Sequence, residues 1–274
     1  MFIEILSKLT SESLLSLYPV FVKHIGLPLG LQTWSRCFSY AVISAIFIDY
    51  SFVFNEMMTS SGTLLSLLTI IHIYVSYRGF ELLESGVAYS IFYLYPIMIL
   101  LMSNKQINPI ILLAIPGVFL LVSNDQFNLV NIIDSPEGFI MMLLAAITEA
   151  VIYYLVRDIK TTNPWNHIFI SYFLGAVLLS LYFFKDIIIV NSTTVLKGRS
   201  LSISLGINTI IGLFGYLLRF YSISRLETTL YAALSYFGIF MATVYGILLN
   251  GEPIQVKKII GSLLIIVSSY LVTM

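Results

Sequence analysis

The sequence predicts an all-α integral membrane protein with ten transmembrane helices arranged as two inverted five-helix repeats, and three observations carry that prediction. Apolar residues make up 58% of the chain and charged ones 10%, with a mean hydropathy of +0.95. A water-soluble globule could not cover so much apolar surface with polar groups. The apolar runs are of a length, about 20 residues, that crosses hydrocarbon as a helix. Backbone in lipid must satisfy its own hydrogen bonds, and the short alternating strands of a barrel are missing from the pattern, so the runs are read as helices. Finally, YRGFELLESGVAYSIFYLYPIMILLMSNKQINPIILLAIPGVFLLV (77–122) and FYSISRLETTLYAALSYFGIFMATVYGILLNGEPIQVKKIIGSLLIIVSSYLV (220–272) read alike. Glu84 matches Glu227 at an offset of 143 residues, and Gly117 matches Gly261 at 144. A repeat of five spans, being odd in number, places its second copy upside down in the membrane.

Dividing the chain where charge, Pro, Gly and Asn cluster yields spans at 5–23, 30–49, 61–78, 84–103, 108–123, 137–156, 165–184, 201–220, 228–249 and 257–273. The breaks NKQINP, SNDQFNLVNIIDSPEG, RDIKTTNPWN and LNGEPIQVKK are rich in turn formers. Two repeats follow, 1–136 and 137–274, fused into one membrane domain. At the N-terminus Glu4 and Glu12 flank Lys8, with no basic leader and no small-residue cleavage site, so the segment is read as the first span and not as a removable signal. Lysines and arginines sorted by the side of the ten-span arrangement to which they fall divide six against seven, so charge does not orient the bundle.

Fourteen basic residues balance fourteen acidic ones, which excludes a global field that would recruit nucleic acid. Cys37 is the only cysteine, so there is no intrachain disulfide and no cysteine-built metal site. No nucleophile elbow, HExxH, CxxC or phosphate loop occurs, and no cofactor or enzymatic activity is expected.

At this point the chain resembles the drug/metabolite transporter superfamily, specifically its ten-span EamA-type members. Tyr221, Ala232, Ala233, Gly251, Glu252 and Gly261 fill the second-half pattern, and Tyr77, Ala88, Pro96 and Gly117 fill the first. Lys23, Pro28 and Arg36 match the opening. The first half has NKQIN in place of a Gly-Glu turn, and the proline expected in the ninth span is replaced near Gly238 and Ile239. The resemblance implies a central cavity lined by spans 1, 3, 4, 6, 8 and 9, a small organic solute such as an amino acid, drug or nucleotide-derived metabolite, and proton or counter-solute coupling. It also implies a multi-pass protein of the cell (inner or plasma) membrane, compatible with an oligomer. The alternative class is a membrane-embedded accessory protein or lipid-acting enzyme, whose mark would be His, Asp and Glu clustered at one membrane face.

Ionisable side chains inside hydrocarbon are costly and usually turn toward a cavity or partner, so they head the candidate list. Glu149 reads as the only acid far from both ends of its span. It is either a proton-coupling site or a structural acid bonded to a neighbouring Ser, Tyr or Arg. Arg36 can clamp a carboxylate or phosphate through its fork of donors, or hold the bundle together. His72 can relay protons or serve as a satisfied core donor. Lys23 and Arg219 lie at span ends. Tyr93, Tyr153 and Tyr236, with Tyr89, Tyr231 and Tyr245, offer an apolar face with one hydroxyl to an amphipathic solute, or simply pack. Tyr93, Glu149 and Tyr236 are expected to face one central space, and Cys37 and Tyr270 to lie away from it. Pro19, Pro96 and Pro116 each free a carbonyl where a helix can bend.

Overall fold

The computed structural model describes residues 2–103, 116–117, 120, 135–184 and 195–273, excluding the side chains of 195–198, 268–270, 272 and 273. Its regular structure among the described residues is entirely helical. In chain order the helices are α1 (Phe2–Leu15), α2 (Tyr18–His24), α3 (Leu29–Ser44), α4 (Tyr50–Met57), α5 (Ser60–Leu82), α6 (Ser85–Phe92) and α7 (Tyr95–Met102). They continue as α8 (Pro136–Asp158), α9 (Pro164–Tyr182), α10 (Val195–Ile207), a π turn (Asn208–Gly212), α11 (Leu213–Ile223), α12 (Thr228–Ser235), α13 (Phe237–Asn250) and α14 (Val256–Thr273). All of the expected fifth span but residues 116, 117 and 120 lies outside the described residues, and the expectation for Tyr270 falls on a side chain outside them.

The turn formers seen in the sequence act as helix caps. Ser135 accepts from Gly138 N at 3.2 Å with Pro136 opening α8, and Asn163 accepts from Trp165 N at 3.0 Å with Pro164 opening α9. Each hydroxyl or amide oxygen satisfies a backbone donor that has no helical partner, and each proline occupies a site where its missing N–H costs nothing. Thr59 caps α5 in the same manner. The connection before it holds an unexpected two-turn helix, α4, capped by Asp49.

Among the described residues, six helical stretches are long and apolar enough to cross a membrane: 60–82, 85–102, 136–158, 164–182, 199–223 and 228–250. The sequence predicts ten. Part of the difference lies in α1 and α2, which are interrupted at Ser16 and Leu17 and carry Lys8 and Glu12, and in α3, which is only 16 residues long and includes Gln32, Arg36 and several hydroxyls. The polarity distribution is that of a bilayer protein. Ile71, Leu144, Ile147, Phe214 and Phe240 are among the side chains that point outward, while His72, Glu149 and Arg219 on the same stretches are buried. Apolar groups outside and ions inside reverse the arrangement water would impose.

α5 packs on α8, α3 on α9, α1 on α11 and α6 on α13, so the two halves of the chain interleave. Two interrupted stretches in this bundle share one register. α6 begins after Glu84 and breaks at Tyr93, and α12 begins after Glu227 and breaks at Tyr236, both pairs offset by 143 residues. Pro96 accounts for the first break, since a proline cannot donate to the ladder. The second occurs with no proline, at the place where the backbone of Gly238 closes on the Tyr93 hydroxyl and leaves no room for a Cβ. The break between α1 and α2 precedes Pro19, and the carbonyl of Leu15 that it frees accepts the Tyr89 hydroxyl.

Candidate functional site

The breaks surround a buried ionic network built from both halves. Arg219 on α11 is its hub. Nη1 lies 2.8 Å from Glu149 Oε1 on α8, and Nη2 lies 3.3 Å from Glu12 Oε1 on α1. Nη2 also reaches Tyr95 Oη at 3.3 Å, and that hydroxyl meets Ser235 Oγ at 2.9 Å. Glu12 pairs in addition with Lys8, one helical turn before it, and accepts the Tyr93 hydroxyl. The Lys8 ammonium sits 3.6 Å above the centroid of the Tyr231 ring. On the far side, Glu149 Oε2 is 3.3 Å from His72 Nε2, and His72 Nδ1 is 3.0 Å from Thr148 Oγ1. Lys8, Glu12, His72, Glu149 and Arg219 are all at most 3% exposed. Burying an ion costs several kcal/mol unless partners surround it, and these side chains supply one another's counter-charge.

A second group lies beside the first. Arg36 on α3 donates to Tyr172 Oη at 3.1 Å, and its guanidinium carbon is 4.4 Å from the Tyr216 ring centroid and 4.9 Å from that of Tyr18. Tyr40, Tyr77 and Tyr172 complete the cage within 5.7 Å. A cavity of about 20 Å³ joins the groups, lined by Leu15, Tyr18, Arg36, His72, Tyr216 and Arg219 among others. That volume suits a single water-sized group, so the centre has no room for an organic solute in this conformation.

The structure therefore brings His72, Tyr93, Glu149, Arg219 and Tyr236 around one centre, with the Tyr93 and Tyr236 rings 6.5 Å apart. Arg36 borders it through the cavity. Tyr153 stands at the edge, its hydroxyl between Thr228 Oγ1 at 3.1 Å and Arg157 Nη1 at 2.8 Å. Lys23 is elsewhere, pairing with Glu252 at 3.3 Å with its side chain 24% exposed. Cys37 packs against Gly175 at the α3–α9 crossing. One expectation needs correction: Glu149 is not the only acid deep in a span, because Glu12 lies well inside the expected first span and is fully buried. Lys8 and Glu12 were missed as site residues, although their spacing of four on one helical face was the available signal.

The Gly-Glu turn serves a different end. Gly251 terminates α13 with φ of +65°, a conformation that glycine adopts without strain. The turn delivers the Glu252 carboxylate to the start of α6, where Ser85 N donates to both oxygens at 2.9 Å and Ser85 Oγ donates at 2.6 Å. Burial alone would raise this carboxyl's pKa, but the Ser85 and Asn250 hydrogen bonds and the Lys23 charge outweigh it and hold the group below its ordinary value of 4.5. A carboxyl whose pKa is depressed by folding stabilises the protein above its unfolded pKa and loses that contribution as pH falls through the folded value. Glu252→Gln is thus expected to melt earlier than the parent at pH 7, with the gap narrowing once the pH drops below about 4.5. Equal melting of the two proteins at pH 7 would show that the cap contributes nothing.

An apolar shell around a buried, mutually neutralised charge network at helix breaks defines a polytopic membrane protein of the transporter class. A model of the EamA-like transporter family matches residues 136–274, and the chain belongs to that family, within the drug/metabolite transporter superfamily. No curated protein matches. Among solved structures, one crystal structure superposes with a TM-score of 0.61 at 16% identity, covering 98% of this chain and 96% of that one. At that identity it supports the fold alone.

Proposed function

We propose that the protein is a secondary transporter that moves a small organic metabolite across the cell membrane by alternating access, in exchange or coupled to protons. In this reading the chain crosses ten times, as repeats 1–136 and 137–274 related by an axis in the membrane plane. The carrying observation is that the broken helix pairs α6–α7 and α12–α13 share a register offset by 143 residues and bracket one buried ionic network. Broken helices at mid-membrane place polar backbone and side chains where a solute can be held, and rocking of one repeat against the other would expose that point to each side in turn. Arg219 ties α1, α8 and α11 together through Glu12 and Glu149, so opening on either side must stretch or exchange these pairs. His72, Tyr93, Tyr236 and Arg36 would face the solute, and Tyr153 would close one end.

The test is counterflow. Liposomes containing the purified protein and preloaded with pooled metabolites are expected to take up labelled solute of the same kind transiently above equilibrium, whereas protein-free liposomes do not. Failure across pools of amino acids, organic acids, amines and nucleotide derivatives would end the transporter reading.

A further inference from the structure

Arg36 differs from the other buried ions among the described residues. Lys8, Glu12, Glu149 and Arg219 pair among themselves, but no carboxylate among the described residues lies within ion-pair distance of Arg36. Its Nε is buried and without a hydrogen-bond partner, and the side chain as a whole is 3% exposed. Five tyrosines supply ring faces and one hydroxyl, which soften the cost of the charge but do not cancel it. Among the described residues the buried interior thus sets Lys8, Arg36 and Arg219 against Glu12 and Glu149, an excess of one positive charge with the histidines counted as neutral. An uncompensated cation at this depth is expensive, and the protein's own side chains leave the compensation to something else.

We infer that Arg36 is the docking point for the carboxylate of a monoanionic organic substrate, a step that presupposes the transport function proposed above. The guanidinium fork matches a carboxylate's two oxygens, and an open Nε–H provides one of the two parallel donors. The excess of one charge selects a monoanion over a dianionic phosphate ester. Lys8 and Arg219 engage Glu12, and Arg219 engages Glu149 through Oε1, which leaves Glu149 Oε2, 3.3 Å from His72, without a hydrogen bond; a zwitterion that set its ammonium there would bring no net charge to cancel the excess, whereas a monoanion cancels it. Leu15, Phe80, Tyr89 and Phe92, which line the same cavity, suit an apolar body behind the carboxylate. Tyr216 stands between the two arginines, 4.4 Å from Arg36 and 5.5 Å from Arg219, so an anion docked on the first lies beside the ion-pair hub it would have to loosen.

The experiment measures binding and counterflow separately. Purified protein in lipid nanodiscs is titrated with a carboxylate series of increasing body (acetate, butyrate, benzoate and phenylacetate), and with phenyl phosphate, benzamide, benzylamine and phenylalanine as controls of matched body. At least one carboxylate is expected to bind tighter than every control. Arg36→Gln is expected to weaken that binding roughly tenfold or more, and Arg36→Lys, which keeps the charge but not the fork, by less. If Arg36→Gln does not fold, the selectivity series on the unaltered protein decides alone. Failure of every carboxylate to bind, a control binding as tightly, or undiminished binding by folded Arg36→Gln would each overturn the assignment. Counterflow of neutral or cationic solutes without carboxylates would overturn it and leave the transporter standing. Carboxylate binding with no counterflow of any solute would uphold the anion site and remove the transporter.

Discussion

Arg219→Met is expected to lose about 3–5 kcal/mol of stability, the usual cost of removing one partner from a buried ion pair and stranding the other. Two carboxylates lose a partner here. Glu12 would keep Lys8 and the Tyr93 hydroxyl, but Glu149 would be left with no cation, only the neutral His72 ring 3.3 Å away. Against the total of about 5–15 kcal/mol typical of folded domains, the loss should appear as a large drop in the midpoint of thermal aggregation of the detergent-solubilised protein. Adding Glu149→Gln to Arg219→Met should recover much of it, because a neutral amide no longer demands a counter-charge. Arg225→Met, which removes an exposed cation stacked on Tyr221, is the control and should shift the midpoint little. An Arg219→Met protein as stable as its parent would mean that the network is not held by this hub.

Glu149→Gln alone should abolish uptake driven by a proton gradient while leaving measurable substrate exchange. Glutamine preserves size and can still accept from Arg219, but it fixes the group neutral, so alternate opening can no longer load and unload a proton there. The structure adds a competitor that the sequence did not suggest: Glu12 shares the same guanidinium and could be the proton carrier instead. Glu12→Gln therefore belongs in the same assay, with Asp158→Asn as control, since Asp158 bonds Ser61 at the exposed rim. Proteoliposomes of Glu149→Gln that still accumulate solute under a pH gradient would clear Glu149 of the role. Persistence in both glutamate variants would place the proton carrier on a different residue.

Composition and periodicity determined the solvent, the helical class and most helix positions. Those properties depend on each segment separately: 20 apolar residues form a helix in lipid whatever surrounds them, and Ser-Pro or Asn-Pro opens a helix by its local hydrogen bond. The offset of 143 residues was legible for the same reason, and it foretold that Glu84 and Glu227 begin matching helices. What local pattern could not decide was partnership. Glu149, His72 and Arg219 were legible as buried ions because charge is rare in hydrocarbon, but Lys8 and Glu12 looked like the polar flank of a weak first span until α1 was packed on α11. The Arg36 cage draws its tyrosines from α2, α3, α5, α9 and α11, and no window of sequence holds more than a fraction of it. The Glu252 cap joins the end of one helix to the start of another 167 residues away. Which charges neutralise each other, and which is left over, depends on distances of a few ångströms between segments far apart in the chain, and those were set only when the helices packed.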